Sequence, residues 1–151
     1  MFCSPELRNL AIEIGLKENG TLKGENEERI NEYTSAAGVG KGGAWCVSFA
    51  YWCFLQAAKE LGFERTPMIR TGSCGKLYKW ADAHNLLVDS PMKGDLYITK
   101  KKSHTGMIAV ANPAFKTTKT NTIEGNTYRV PGKWGVHKRK KSLEEAFFVR
   151  I

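Results

Sequence analysis

Metal and nucleotide signatures are missing from this sequence of 151 residues. Its four cysteines (Cys3, Cys46, Cys53, Cys74) contain no CxxC pair and are too sparse for a disulfide scaffold. Free thiols are therefore expected. There is no HExxH and no C2H2 spacing, and no His-x-Glu followed by Pro-Cys-x-x-Cys, which excludes zinc deaminase chemistry. GxGxxG and the P-loop are absent too: Gly38, Gly40, Gly42 and Gly43 lead into Trp45-Cys46, not into Gly-Lys-Ser/Thr. The expectation is a protein with neither metal nor cofactor. No basic start followed by an apolar segment marks a standard secretory leader. The longest apolar stretch, Ala44 to Leu55, is interrupted by Ser48 and falls short of the roughly 20 residues a bilayer span needs. A soluble chain is the expectation. Repeats and low-complexity linkers are also lacking, so residues 1–151 are read as one domain.

What is present is enough to fold. Hydrophobic residues make up 42% and aromatic residues 11%, too many for a disordered chain. Net charge is +8, unevenly spread. The first 35 residues hold seven glutamates against four basic residues, whereas Lys100–Lys102 and Lys138–Lys141 are basic runs. A basic face calls for an anionic partner, unless the two runs are simply solvated turns.

The chain reads in two halves. Ser4-Pro5-Glu6 is a helix start, with Ser as N-cap, Pro in the first turn and an acid beside it. Leu7, Leu10, Ala11 and Ile14 then share one helical face, and Asn19-Gly20 stops the helix. A short helix fits Glu27 to Tyr33, and a glycine-rich loop covers Gly38 to Gly43. The most apolar helix follows over Cys46 to Leu61, and an amphipathic one over Lys76 to His84. After residue 85 the pattern changes to turns and alternation. Strands are predicted at Leu96–Ile98, His104–Val110, Thr120–Thr127 and Ala146–Ile151. Helices first and strands second predict an α+β fold, with N-terminal helices packed on a C-terminal antiparallel sheet.

Cys46 is the residue most open to chemistry. A helix start carries partial positive charge, which favours a thiolate, and the glycines before it allow close approach. Taken alone it reads rather as a small buried hydrophobe, which is what most free cysteines are. Cys53, two turns down the same helix face, reads as core, and Cys3 and Cys74 have no catalytic context. A nucleophilic cysteine needs a base. Among three histidines, His84 suits a helix C-terminus and His137 sits in a basic run. His104 begins a strand with Gly106 two residues on, leaving room for another group. An orienting group is offered by "TIEGNT": Glu124 and Asn126 share a face if the strand keeps a period of two, and either oxygen could hold an imidazole. A turn at Gly125-Asn126 is the competing reading.

Together the segments "INEYTSAAGVGKGGAWCVSFAYW", "PMKGDLYI", "SHTGMIAV" and "TIEGNT" resemble the CHAP domains, cysteine- and histidine-dependent amidohydrolases and peptidases related to the NlpC-type enzymes of the papain-like superfamily. The resemblance runs from about Leu7 to Thr127. It implies a papain-like fold, Cys46 as nucleophile, His104 as base, Glu124 as orienter and Asn126 as accessory polar group. It also implies a peptidoglycan hydrolase, either an N-acetylmuramoyl-L-alanine amidase or an endopeptidase of the stem or cross-bridge peptide. Some members bind calcium through aspartates upstream of the cysteine, but Ala36 to Trp45 contain no acid, so no metal is expected. The partner implied is peptidoglycan or another anionic wall polymer, with no obligate nucleic acid. A monomer is expected, made in the cytoplasm and delivered to the wall or periplasm by a holin or secretion system. Two competing readings are an effector acting on a protein amide with the same residues, and a non-catalytic module for anionic polymers.

Overall fold

The computed structural model describes residues 3–151. Four helices come first: α1 (Pro5–Lys17), α2 (Glu27–Ala36), α3 (Cys46–Glu60) and α4 (Cys74–Ala83). Six strands follow: β1 (Leu87–Val88), β2 (Leu96–Ile98), β3 (Thr105–Ile108), β4 (Thr120–Thr127), β5 (Gly135–Lys141) and β6 (Phe147–Val149). They form one antiparallel sheet in the order β1-β6-β2-β3-β4-β5. This is the α+β arrangement predicted from the change of pattern near residue 85.

Local chemistry explains the helix starts. The Ser4 hydroxyl accepts from the Leu7 amide at 3.2 Å and Pro5 occupies the first turn of α1. The buried face of α1 is Leu7, Ala11, Ile12 and Gly15; Leu10 and Ile14 are only half-buried, so the contact stripe is rotated from the predicted one. α2 runs three residues beyond its predicted end, and α4 starts two residues early because Ser73 caps it.

Apolar burial holds the two layers together. α3 is buried along nearly its whole length, from Cys46 to Phe54 and again at Ala57 and Ala58. It contacts α1 and α2 on one side and β3 and β4 on the other. Each large apolar side chain removed from water there contributes about 1.5–3 kcal/mol. Cys53 is fully buried, as predicted for core. Along β3, Met107 faces this main core and Ile108 faces a smaller cluster on the far side of the sheet, made by Tyr97, Phe115, Leu143 and Phe148. That alternation was legible in the sequence.

The Gly94-Asp95 turn closes the sheet. Asp95 is fully buried and takes a bidentate contact from Arg150, at 2.9 and 2.7 Å, and also the Met92 amide at 2.8 Å. This pair ties the C-terminal strand to β2. Arg150 is partly exposed, so it is loss of the arginine, which would strand the buried Asp95 carboxylate, that should destabilise the fold.

Candidate functional site

The site forms where the start of α3 meets β3 and β4. Trp45 precedes α3 without a side-chain capping bond, so the helix amides are not consumed by a cap, and no acid stands in the first turn. Its indole stacks on Tyr33 at 5.7 Å, and Tyr33 also packs edge-on against Phe49 and Trp52. The Tyr33 hydroxyl donates to Glu18 at 2.7 Å. This aromatic cluster fixes the position of Cys46, which is only 5% exposed.

His104 immediately precedes β3. Its ring lies within hydrogen-bonding reach of the Cys46 sulfur. The other side of the ring is held by Glu124, with Nε2 at 2.8 Å from Oε1. Nδ1 is left for the thiol. Glu124 is fully buried on β4 and heavily solvated by protein. Its Oε2 accepts from the Tyr97 hydroxyl at 2.8 Å and the Thr122 hydroxyl at 2.5 Å, and Lys141 Nζ lies 3.4 Å from Oε1. A buried carboxylate survives only with this kind of support.

These contacts set the charges. A hydrogen bond from the Cys74 thiol is the largest influence drawing the Cys46 pKa down to about 4. Burial opposes it, and the His104 bond and charge and the Thr105 amide add to it. Burial also works against a charged His104, but its bonds to Cys46 and Glu124 prevail and raise it to about 9. For Glu124, burial is likewise overcome by His104, Lys141 and Thr122, so its carboxyl stays below the ordinary range. Both shifts run in the direction that favours a Cys46 thiolate beside a His104 imidazolium.

Of the other histidines, His84 turns Nδ1 to the Trp80 carbonyl at 2.8 Å as the C-cap of α4, and His137 turns Nε2 to the Lys133 carbonyl at 2.7 Å. Asn126 is separated from Glu124 by more than one step of alternation. The β4–β5 register shifts between Glu124 and Thr127, and Asn126 has a left-handed backbone (φ 53°). The expected shared face is thereby broken. Asn126 instead lines a cleft of about 250 Å³ with Asn31, Thr34, Gly42, Gly43 and Trp45. Lys23 and Glu27 stand in the same cleft. With Glu27 the single carboxylate there and none in the glycine loop, these residues do not make a calcium donor set, and no chemical step below uses one.

Four residues escaped the sequence reading. Tyr97 and Thr122 hold Glu124; Thr122 was within reach of the period of two. Lys141 belongs to a strand read as a basic run. Cys74, judged to lack context, lies beside Cys46.

Gly106 is the reason Glu124 and Tyr97 can meet under His104. A Cβ there would run into the Tyr97 ring and come within 2.6 Å of Glu124 Cγ. Gly106→Ala should displace the carboxylate and lower turnover about 100-fold, since a misplacement near 1 Å costs that much. Steady-state kinetics beside a circular dichroism melt would check it; unchanged turnover would mean that the Glu124 contact is dispensable.

A cysteine at a helix start, within reach of a histidine just before a strand of an antiparallel sheet, is the arrangement that cysteine- and histidine-dependent chemistry calls for. A family model described as CHAP domain matches residues 38–126, more than half of the chain. The chain belongs to the CHAP domain family, whose members are in general cysteine- and histidine-dependent amidohydrolases or peptidases. Comparison with curated proteins finds no match. No helix among the described residues is long and apolar enough to cross a membrane.

Proposed function

We propose that this domain hydrolyses an amide bond of peptidoglycan, as an N-acetylmuramoyl-L-alanine amidase or a stem or cross-bridge endopeptidase. The observation that carries it is the chain of contacts Cys46–His104–Glu124 beside the cleft at Gly42–Trp45. The thiolate of Cys46 attacks the scissile carbonyl. The Cys46 amide, at the uncapped start of α3, donates to the oxyanion. His104 gives its proton to the leaving amine as the C–N bond breaks. Water, deprotonated by His104, then hydrolyses the thioester and restores the thiolate. Glu124 keeps the imidazole in place and supports its charge. Asn126 serves as an accessory polar group that contacts substrate in the cleft.

A second groove, about 520 Å³, is lined by Val110, Asn121, Arg129 and Lys138–Lys140. It contains none of the residues assigned to chemistry. Its basic lining supports an anionic wall polymer as partner.

The test is digestion of purified sacculi with fragments identified by mass spectrometry. A free stem peptide marks an amidase; a cut within the peptide marks an endopeptidase; intact sacculi with cleavage of a protein substrate would overturn the reading. The pH profile should be bell-shaped. As pH falls through about 4 the Cys46 thiolate gains a proton and activity drops; as pH rises through about 9 the His104 imidazolium loses its proton and activity drops again. These two limbs belong to the pair as a unit. A single limb near pH 6.5, where an isolated histidine titrates, would rule out the resting ion pair.

A further inference from the structure

We propose that the hairpin joining β4 to β5, with the basic groove beside it, is a binding site for a phosphodiester-linked glycopolymer of the cell wall. The inference rests on the reading of this domain as a wall hydrolase. Large apolar side chains are left in water mainly here. Six are exposed among the described residues, and four of them, Val110, Tyr128, Val130 and Trp134, stand in the hairpin or line the groove. Scattered exposed residues need no explanation, but a cluster marks a binding surface. Tyr128 and Trp134 meet edge-on across the hairpin, with ring centroids 4.7 Å apart. Each ring is thus held in place while remaining 38% and 42% exposed, respectively.

The groove supplies the charge. Ala109 and Val110 give it an apolar part, Arg129, Lys138, Arg139 and Lys140 add four cations, and no carboxylate lines it. Arg139 is set in place: its guanidinium donates to the Thr127 hydroxyl at 2.7 Å and to the Tyr128 carbonyl, and lies 5.9 Å from the centre of the Tyr128 ring. Lys138 and Lys140 are the solvent-facing positions of β5, about 7 Å apart along the strand. Cations at that interval suit a polyanion with a repeat rather than a single carboxylate. A phosphodiester is ionised at neutral pH, and a sugar ring offers an apolar C–H face to an indole or phenol. The muramic acid carboxyl is itself tied up in the amide to the stem peptide, so a glycan strand with its stems in place carries no regular charge along its sugars. The site also adjoins the cleft. Asn126 lines the cleft, Arg129 lines the groove, and Tyr128 lies between them in the chain. On the returning side the Trp134 carbonyl accepts from the amide of Lys23, another residue of the cleft, at 2.9 Å. A polymer held on the hairpin is kept next to the cleft.

The experiment measures binding apart from cleavage. Walls that carry phosphodiester polymers are compared with the same walls stripped of them by hydrofluoric acid. The full chain carrying Cys46→Ala is co-sedimented with each over a range of salt. Binding to intact walls should be about tenfold tighter than to stripped ones at low salt, and should weaken steeply as salt rises. Lys138→Gln combined with Lys140→Gln should abolish that preference and flatten the salt dependence. Trp134→Ala should weaken binding to intact walls several-fold without changing the salt dependence, and Trp134→Phe, which keeps a ring, should restore most of it. Circular dichroism checks the fold of each variant; the glutamine pair, at solvent-facing positions, decides the matter even where Trp134→Ala does not fold. Equal binding to the two wall preparations, or a preference that survives both glutamine substitutions, overturns the proposal. So does displacement by oligodeoxythymidylate at lower concentration than by the polymer released from the walls, which would make this a nucleic-acid site. A preference that follows these residues, with walls left uncut by the enzyme with Cys46 in place, would sustain the groove and refute the hydrolase assignment. Digestion of stripped walls with no preference in binding would do the reverse.

Discussion

Cys46→Ala should abolish hydrolysis of sacculi, by about 10⁴-fold or more, because no other group can form the thioester and residues acting as a unit fail together. The fold should survive. Cys46 is buried at the first turn of α3, and alanine removes one sulfur without adding a polar atom. A loss of about 1 kcal/mol is expected, on the scale of a small deletion in a core. For a chain of this size that is a drop of about 2–4 °C in melting temperature. Cys53→Ala is the matched control. Its sulfur sits two turns down the same helix, fully buried near Gly15 of α1. A similar small loss of stability with normal turnover is expected there. Wild-type turnover in Cys46→Ala, measured with the melt of each variant, would remove Cys46 from the chemistry and leave it as core.

Much of this arrangement was legible in the sequence because it rests on local rules. Ser4-Pro5 announced α1, the apolar run announced α3, and the alternation from His104 to Val110 put His104 and Gly106 on the face that Glu124 shares. What escaped depends on contacts distant in the chain. β5 reads as a charged run because it is an edge strand: His137, Arg139 and Lys141 are half-buried on one face, while Lys138 and Lys140 face solvent. Lysines on an edge are a way to prevent further pairing, and they erase the hydrophobic alternation by which strands are recognised. Lys141 therefore reaches Glu124 from a strand that could not be seen. Cys74 was invisible for a different reason: nothing near it in sequence hints that Gly72 will be laid on the first turn of α3. The shared face expected for Glu124 and Asn126 was lost for the opposite reason. The period of two put Asn126 beside Glu124, but a register shift intervened, and the competing turn reading of Gly125-Asn126 was closer to the observed backbone.

That bulge makes Glu124 and Asn126 separable by experiment. Glu124→Gln preserves shape and one acceptor oxygen. It removes the negative charge that faces His104, and its amide nitrogen must point at a donor: Tyr97, Thr122, His104 or Lys141. Turnover should fall about 10²–10⁴-fold, the range associated with loss of an orienting carboxylate. The pH profile carries the sign of the effect. Without the carboxylate the imidazolium is less favoured, so the alkaline limb near 9 should move to lower pH. A purely structural role for Glu124 would lower turnover without moving that limb. Asn126→Ala acts elsewhere. Asn126 lines the cleft beside Trp45 and makes no bond to the histidine, so substrate binding is what it should change. KM is expected to rise several-fold, with kcat nearly constant and both limbs unmoved, the pattern of an interaction equal in ground and transition states. The decisive comparison is kcat, KM and both limbs for the two variants side by side. A large fall in kcat for Asn126→Ala with little change in Glu124→Gln would reverse the assignment and make Asn126 the orienting group.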